Sequence, residues 1–290
     1  MFLVFDTETT GLPKRWDAPI SDHENWPRCV QIAWQLHDDF GNCVEHKDFI
    51  VSPEGFDIPF ESEQIHGIST ALSTKEGSAI NAILADFNAA LAKSKYIIGH
   101  NVKFDVNIIG AELDRLGLDT SVTTTPILDT CTEHTATLCQ IPGGRGGRFK
   151  LPTLSELYKQ LFDDSFDQAH NATADVEATA RAFFELLRRN KFPANQITDG
   201  ELLVSRLNET FEEAVPLIGL SHTDLKAASA KLIQEKQAPV STPAVLAKTA
   251  LSTPFAHLHT LSQFTVLQST IRLKELAETA DQMGMPAVAL

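Results

Sequence analysis

Residues 2–11 read FLVFDTETTG: an apolar run, then Asp6 and Glu8 two positions apart, then a Thr-Thr-Gly turn. A short apolar run closed by a turn is the pattern of a buried strand. Side chains alternate along a strand, so Asp6 and Glu8 share one face. Two carboxylates side by side repel each other, and each loses hydration when partly buried. A divalent cation is the usual relief, and hard cations such as Mg²⁺ take oxygen ligands. Two solvated carboxylates in a turn would give the same local pattern, so this pair alone leaves both readings open.

Downstream, VQIAWQLHD and NCVEHKDFIV flank Asp39-Phe40-Gly41 and predict a β-hairpin. Ile80, Ile83, Leu84, Phe87 and Leu91 recur at helical spacing and predict a helix over 76–91. YIIGHN predicts a strand, 104–116 a helix with Asp105 at its start, and PILDT another strand. Helices are expected over 153–161 and 172–189. Strands first, then helix alternating with strand, predict an α/β layer fold with helices on a mixed sheet. Beyond Arg189 there are weaker helical segments at 200–211 and 224–237. Then comes APVSTPAVLAKTALSTP, which has linker composition.

The chain of 290 residues is 43% hydrophobic, enough for a sizeable core and something extra. No run of eighteen apolar residues occurs, so no membrane span is expected. The start, MFLVFDTETTG, lacks the pattern of a secretory signal. The cysteines at 29, 43, 131 and 139 have no CxxC spacing, and a reducing cytoplasmic setting fits them. The formal net charge is −14, which argues against a protein that merely grips nucleic acid. An enzyme that meets phosphate through bound cations escapes that objection.

Asp105 alone reads as an acid in a first helical turn, where it complements the dipole. Asp175 reads the same way, with His170 five residues before it as a loop histidine. Within one continuous helix, five residues would turn the two side chains apart by roughly 140°. A shared site therefore needs His170 ahead of the regular helix, which the cap-type residues Asn171 and Thr173 permit.

Taken in order, FDTETTG, GHNVKFD and HNATAD resemble the DEDD exonucleases. The match is to the branch with histidine five residues before the last aspartate. That branch includes the proofreading ε subunit and the exonuclease domains fused to bacterial replicative polymerases. PRCVQIAWQL and IHGIS are also similar to that family, and the likeness covers 1–190. It implies a ribonuclease H-like exonuclease fold, α/β with a mixed central sheet flanked by helices. The implied activity is metal-dependent 3′→5′ exonuclease action with two divalent cations, Mg²⁺ or Mn²⁺. Asp6, Glu8 and Asp175 would hold one ion, and Asp6 with Asp105, through water, the other. His170 would take the proton from the attacking water, and the product would be a nucleoside 5′-monophosphate. The same likeness puts Thr9 and Leu12 near the terminal nucleotide and His66 and His100 at the border of the site, with His66 and Asn101 as further candidate substrate contacts. GGRGGRFK (143–150) lacks the GK[ST] of a P-loop. It is either a mobile loop or one that lays Arg145, Arg148 and Lys150 on the DNA backbone. KRWDAPISDHENWP, within the 13–27 insertion, is longer than the likeness requires.

FAHLHTLSQFTVLQ, opening segment 255–290, resembles the start of the PHP domain of a DNA polymerase III α subunit. Leu261 stands where that pattern has a third histidine after His257 and His259, so no working metal site is expected there. The domains expected are 1–190, the exonuclease; 191–254, helices and linker; and 255–290, the opening of a PHP-like domain. A chain cut near Asn190 or Ala238 is expected to keep full activity. The expected partners are a DNA 3′ end, single-stranded or mismatched, and a polymerase domain in the same polypeptide, with no membrane. Two rival readings are an RNA-trimming enzyme of the same branch and a silent docking module of the replisome. The second would have lost a carboxylate or the histidine, and all five are present.

Overall fold

The computed structural model describes residues 1–166, 171–220 and 223–237, with positions 279 and 282. Five strands form one mixed sheet: β1 (Phe2–Thr9), β2 (Cys29–His37), β3 (Cys43–Ile50), β4 (Tyr96–Gly99) and β5 (Ile127–Asp129). Their spatial order is β3-β2-β1-β4-β5. The pairs β1–β2 and β2–β3 are antiparallel, while β1–β4 and β4–β5 are parallel. The helices described are α1 (Phe60–His66), α2 (Thr70–Glu76), α3 (Ile80–Leu91), α4 (Lys103–Arg115), α5 (Glu133–Cys139), α6 (Leu154–Phe162), α7 (Ala172–Arg188), α8 (Gly200–Thr210) and α9 (Leu225–Gln237).

The two-residue period of β1 sorts its side chains onto the two faces of the sheet. Leu3 and Phe5, with Ile32 and Trp34 of β2, pack against Ile83, Leu84 and Phe87 of α3 and Ile108 and Ile109 of α4. Phe2 and Val4, with Ala33 and Ile98, pack against Val176, Ala180 and Phe183 of α7 and Leu157 of α6. The even positions of β1 thus face α7, and Asp6 and Glu8 continue that series beyond the apolar core. Alanines at 172, 174, 178, 180 and 182 let α7 lie close to the sheet.

The hairpin and the strands stand where the sequence predicts them. The helix expected over 76–91 starts instead at Ile80, and Glu76 closes α2. Gly77 divides the two. A Cβ there would sit 2.2 Å from the carbonyl oxygen of Ser73 and 2.6 Å from the amide of Ser52. Next to it, Ser78 bridges to Val51 at the end of β3. The seven-residue helices α1, α2 and α5 are too short for periodicity to reveal.

The boundary expected at residue 190 differs from the packing, in which Met1–Gln237 forms one compact unit. Charged side chains on α7, four residues apart, explain why: Glu177 and Glu185 are buried and Arg181 is half-buried. Glu185 accepts the amide of Val215 at 2.9 Å, and Arg181 donates to the Val215 carbonyl at 2.7 Å. Glu177 accepts the amides of Gly219 at 2.5 Å and Leu220 at 3.2 Å. These bonds hold 211–220 along α7, back toward its start, where Asn171 donates to Thr223 O at 3.2 Å. Helix α9 then docks on α1 and α2. The Ser229 hydroxyl donates to Gly67 O at 2.6 Å and accepts the amide of Ser69 at 3.0 Å.

A chain ending at Gln237 is therefore expected to fold, and one ending at Asn190 to melt more than 10 °C lower or not fold. The shorter chain loses buried Leu203, Leu207, Val215 and Leu225, each worth roughly 1.5–3 kcal/mol. It also leaves Glu177 and Glu185 without backbone donors, against a total stability of about 5–15 kcal/mol. Circular-dichroism melts of both chains check this; equal melting temperatures would refute it.

The linker at 238–254 and, apart from positions 279 and 282, the PHP-like segment with His257, His259 and Leu261 lie outside the described residues, as does His170. Among the described residues no helix is long and apolar enough to cross a membrane.

Candidate active site

At the end of β1 the strand pairs Asp6 with Ala33 and Glu8 with Gln31, then breaks register between Glu8 and Thr9. Gln31 is buried. Its side-chain oxygen accepts the first amide of α7, Ala172 N, at 3.2 Å, and its Nε2 donates to Asp48 at 2.8 Å. Asn171 caps the same helix by accepting Thr173 N at 3.1 Å. These contacts seat the first turn of α7, which carries Asp175, over the end of β1. Asp6, Glu8 and Asp175 then each offer an oxygen within 4.8 Å of the others.

Asp105 reaches the cluster from the opposite face of the sheet. It is 4% exposed, and its Oδ1 accepts Thr7 N at 3.0 Å and Thr7 Oγ1 at 2.6 Å. Thr7 is an odd residue of β1 and points toward α4, away from Asp6 and Glu8. The loop before α4 is fixed by Asp129 of β5. Its carboxylate accepts Asn101 N at 2.9 Å, Val102 N at 3.1 Å and Cys131 N at 2.7 Å. Asn101 adopts the left-handed backbone, φ 61°, that asparagine tolerates. Sequence reasoning missed Thr7, Gln31 and Asp129. A glutamine inside VQIAWQL was the available signal for one of them.

Crowding shows in the acidities. Burial, then Asp105, Asp175 and Glu8 in that order, push the Asp6 carboxyl well above the usual carboxylate range. Burial, then Asp175 and Asp105, raise Glu8 to about 8. Burial raises Asp105 to about 7 against the two hydrogen bonds from Thr7 that favour its charge. Three carboxylates converging without a cation are a strained arrangement, and oxygen-only donors at this spacing suit a hard divalent ion. The residues present fit such a group: Asp6, Glu8 and Asp175 around one position, with Asp105 beside Asp6.

The other residues singled out from the sequence divide. Leu12, 74% exposed, and Asn101 lie on the surface, following β1 and preceding α4. The Thr9 hydroxyl is committed to Gly11 O at 2.7 Å. His66 is buried at the end of α1, where its Nδ1 accepts Ile68 N. His100 is built into the scaffold, bonded to Thr130 Oγ1 at 3.0 Å and Pro152 O at 2.9 Å, and burial lowers its basicity. Arg145 is exposed. Arg148 pairs with Glu133 and Lys150 with Glu156, so in this state those two cations face the protein's own acids.

A family model described as Exonuclease (RNase_T) matches residues 3–183. The DNA polymerase III subunit epsilon of Rickettsia prowazekii is 30% identical over 184 residues, covering 63% of this chain and 72% of that one. The PolC-type DNA polymerase III of Streptococcus thermophilus is 30% identical over 207 residues, 71% of this chain but 12% of that polymerase. Among solved structures, Escherichia coli exonuclease I in complex with a dA16 oligonucleotide superposes with a TM-score of 0.51 at 23% identity. That match covers 65% of this chain and 40% of exonuclease I, and at this identity it speaks for the fold alone.

Proposed function

The chain belongs to the exonuclease family, and from that premise we propose that it removes nucleotides from the 3′ end of DNA by metal-dependent hydrolysis. The observation that carries this reading is the meeting of Asp6, Glu8 and Asp175 within 4.8 Å, with buried Asp105 beside them. Asp6, Glu8 and Asp175 would hold one divalent cation, and Asp6 with Asp105 a second. Mg²⁺ or Mn²⁺ bound there would supply charge neutralisation for the phosphate and a lowered pKa for water. Asp105 keeps Oδ1 on Thr7, which fixes the direction of its remaining oxygen. Gln31 and Asn171 hold the first turn of α7, so Asp175 keeps its place when the phosphate arrives. His170 is assigned the proton of the attacking water. Nucleoside 5′-monophosphate is the product.

The epsilon and PolC-type relatives support a proofreading role, with a polymerase in the same polypeptide or bound to it. The PHP-like sequence of 255–290 favours the first arrangement. The test uses 5′-labelled single-stranded DNA, a mismatched primer–template and RNA of one sequence, with Mg²⁺ or with chelator. Stepwise shortening of both DNAs in Mg²⁺, at least tenfold faster than that of RNA, is expected. Equal kcat/KM on RNA would convert the reading to RNA trimming. No cleavage of any of the three would leave a docking module.

A further inference from the structure

We propose that the 13–27 loop is a stacking platform for the bases of single-stranded nucleic acid next to its 3′ end, with Trp16 as the stacking side chain. The proposal rests on the exonuclease reading of the carboxylate site, and it gives a role to an insertion which that reading leaves unused.

The loop is built, not slack. Asn25, 5% exposed, clamps Arg15 from both sides of its backbone. Its Oδ1 accepts Arg15 N at 2.7 Å and its Nδ2 donates to Arg15 O at 3.0 Å. Trp26 is buried and donates to Pro19 O at 3.0 Å. Arg115 of α4 donates to His23 O at 2.9 Å and Trp26 O at 2.7 Å. Gly110 leaves room in α4 for Ile20, whose Cγ2 would lie 3.2 Å from any added Cβ.

This frame spends one tryptophan as its own core and holds the other outward. Trp16 is 57% exposed, and its ring centre is 5.7 Å from that of Phe104, tilted by 52°. Phe104 immediately precedes Asp105, so the aromatic pair adjoins the helical turn that supplies a site carboxylate. Leu12, 74% exposed, leads from the end of β1 into the same loop.

Within a chain of net charge −14, three cations lie in or beside this segment. Lys14, Arg15 and Lys103 are exposed, and among the described residues none of the three makes an ion pair; the loop's own acids are Asp17, Asp22 and Glu24. Exposed aromatic faces flanked by cations are how proteins hold single strands without reading sequence, because every base has a face to stack. A protein partner could also cover an exposed Trp and Leu. The unpaired cations and the adjoining site favour nucleic acid.

The test separates binding from chemistry. The chain has three tryptophans, and Trp26 and Trp34 are buried, so a fluorescence change on adding oligothymidylate reports on Trp16. Titration of the full chain in Ca²⁺ is expected to quench the wild type and not Trp16→Leu. In Mg²⁺, Trp16→Leu is expected to raise KM for oligothymidylate about tenfold. Turnover of the p-nitrophenyl ester of thymidine 5′-monophosphate, which has no neighbouring base, should stay unchanged. Trp16→Phe should stay within about twofold of wild type on both. Unquenched wild-type fluorescence at saturating oligonucleotide, or equal KM for wild type and Trp16→Leu, overturns the platform while leaving the exonuclease reading standing. Absence of hydrolysis of both substrates by the wild type would instead sink that reading, and the titration would still decide whether Trp16 binds DNA.

Discussion

Asp6→Ala and Asp175→Ala are each expected to lower DNA hydrolysis by about 10²–10³-fold or more, the scale for losing a group that stabilises transition-state charge. Both should remain folded, because neither side chain is part of the apolar core. Removing a carboxylate from the cluster should in fact raise the melting temperature of the metal-free protein. The sign follows from the acidities. Asp6 lies well above the usual range, Glu8 near 8 and Asp105 near 7, so the folded state holds these protons more tightly than the unfolded chain does. Their contribution to stability is complete below the unfolded carboxylate range, near pH 4. It is lost as pH rises through the folded values. The gap between metal-free Asp6→Asn and wild-type melting temperatures should therefore widen from pH 5 to pH 8. Mg²⁺ or Mn²⁺, which binds the deprotonated oxygens, should close it by stabilising the wild type selectively. Scanning calorimetry at several pH values, with and without metal, measures this. A gap that shrinks with pH, or near-wild-type turnover by either alanine variant, would remove these residues from the site.

What could be read from the sequence was whatever is written in local periodicity. The alternation of FLVFDTE put Asp6 and Glu8 on one face, and the helical spacing within 80–91 placed α3, with its start read one turn too early. The fixed order of the acidic motifs placed Asp105 and Asp175 at helix starts, where α4 and α7 hold them. The rest depends on contacts between distant residues. Thr7 and Asp105 are 98 positions apart, and Gln31 reaches Ala172 across 141. No local pattern marks such pairs. The attachment of 200–237 was hidden for a related reason. Its helices are weakly patterned, and what ties the stretch down is a set of charged side chains on α7. In sequence these look like an ordinary solvated stripe, yet Glu177 and Glu185 are buried. His100 shows the converse: offered as a border of the site by family likeness, it is bonded into the loop that leads to α4.

His170→Ala is the second large effect, an expected loss of about 10²–10⁴-fold in rate, the contribution typical of a positioned base. The assignment rests on the family likeness, and order in the chain permits it. Helix α7 begins at Ala172 after the Asn171 cap, and Asp175 belongs to its first turn. A histidine just before the cap escapes the roughly 140° divergence that a continuous helix would impose on residues five apart. Imidazole titrates near pH 6.5 in the absence of perturbation, so it accepts a proton at neutral pH. On the proposed reading the carboxylates described above hold the cations without it. Hence Mn²⁺ binding by calorimetry should be unchanged in His170→Ala while the rate falls. The deficit should also narrow as pH rises, because hydroxide then attacks without a base. His170→Gln, which keeps a polar group but cannot take the proton, should be as slow as the alanine variant. If either substitution abolishes Mn²⁺ binding, or if the deficit is the same at every pH, the residue is a ligand or a support for α7. The proton must then leave by another route.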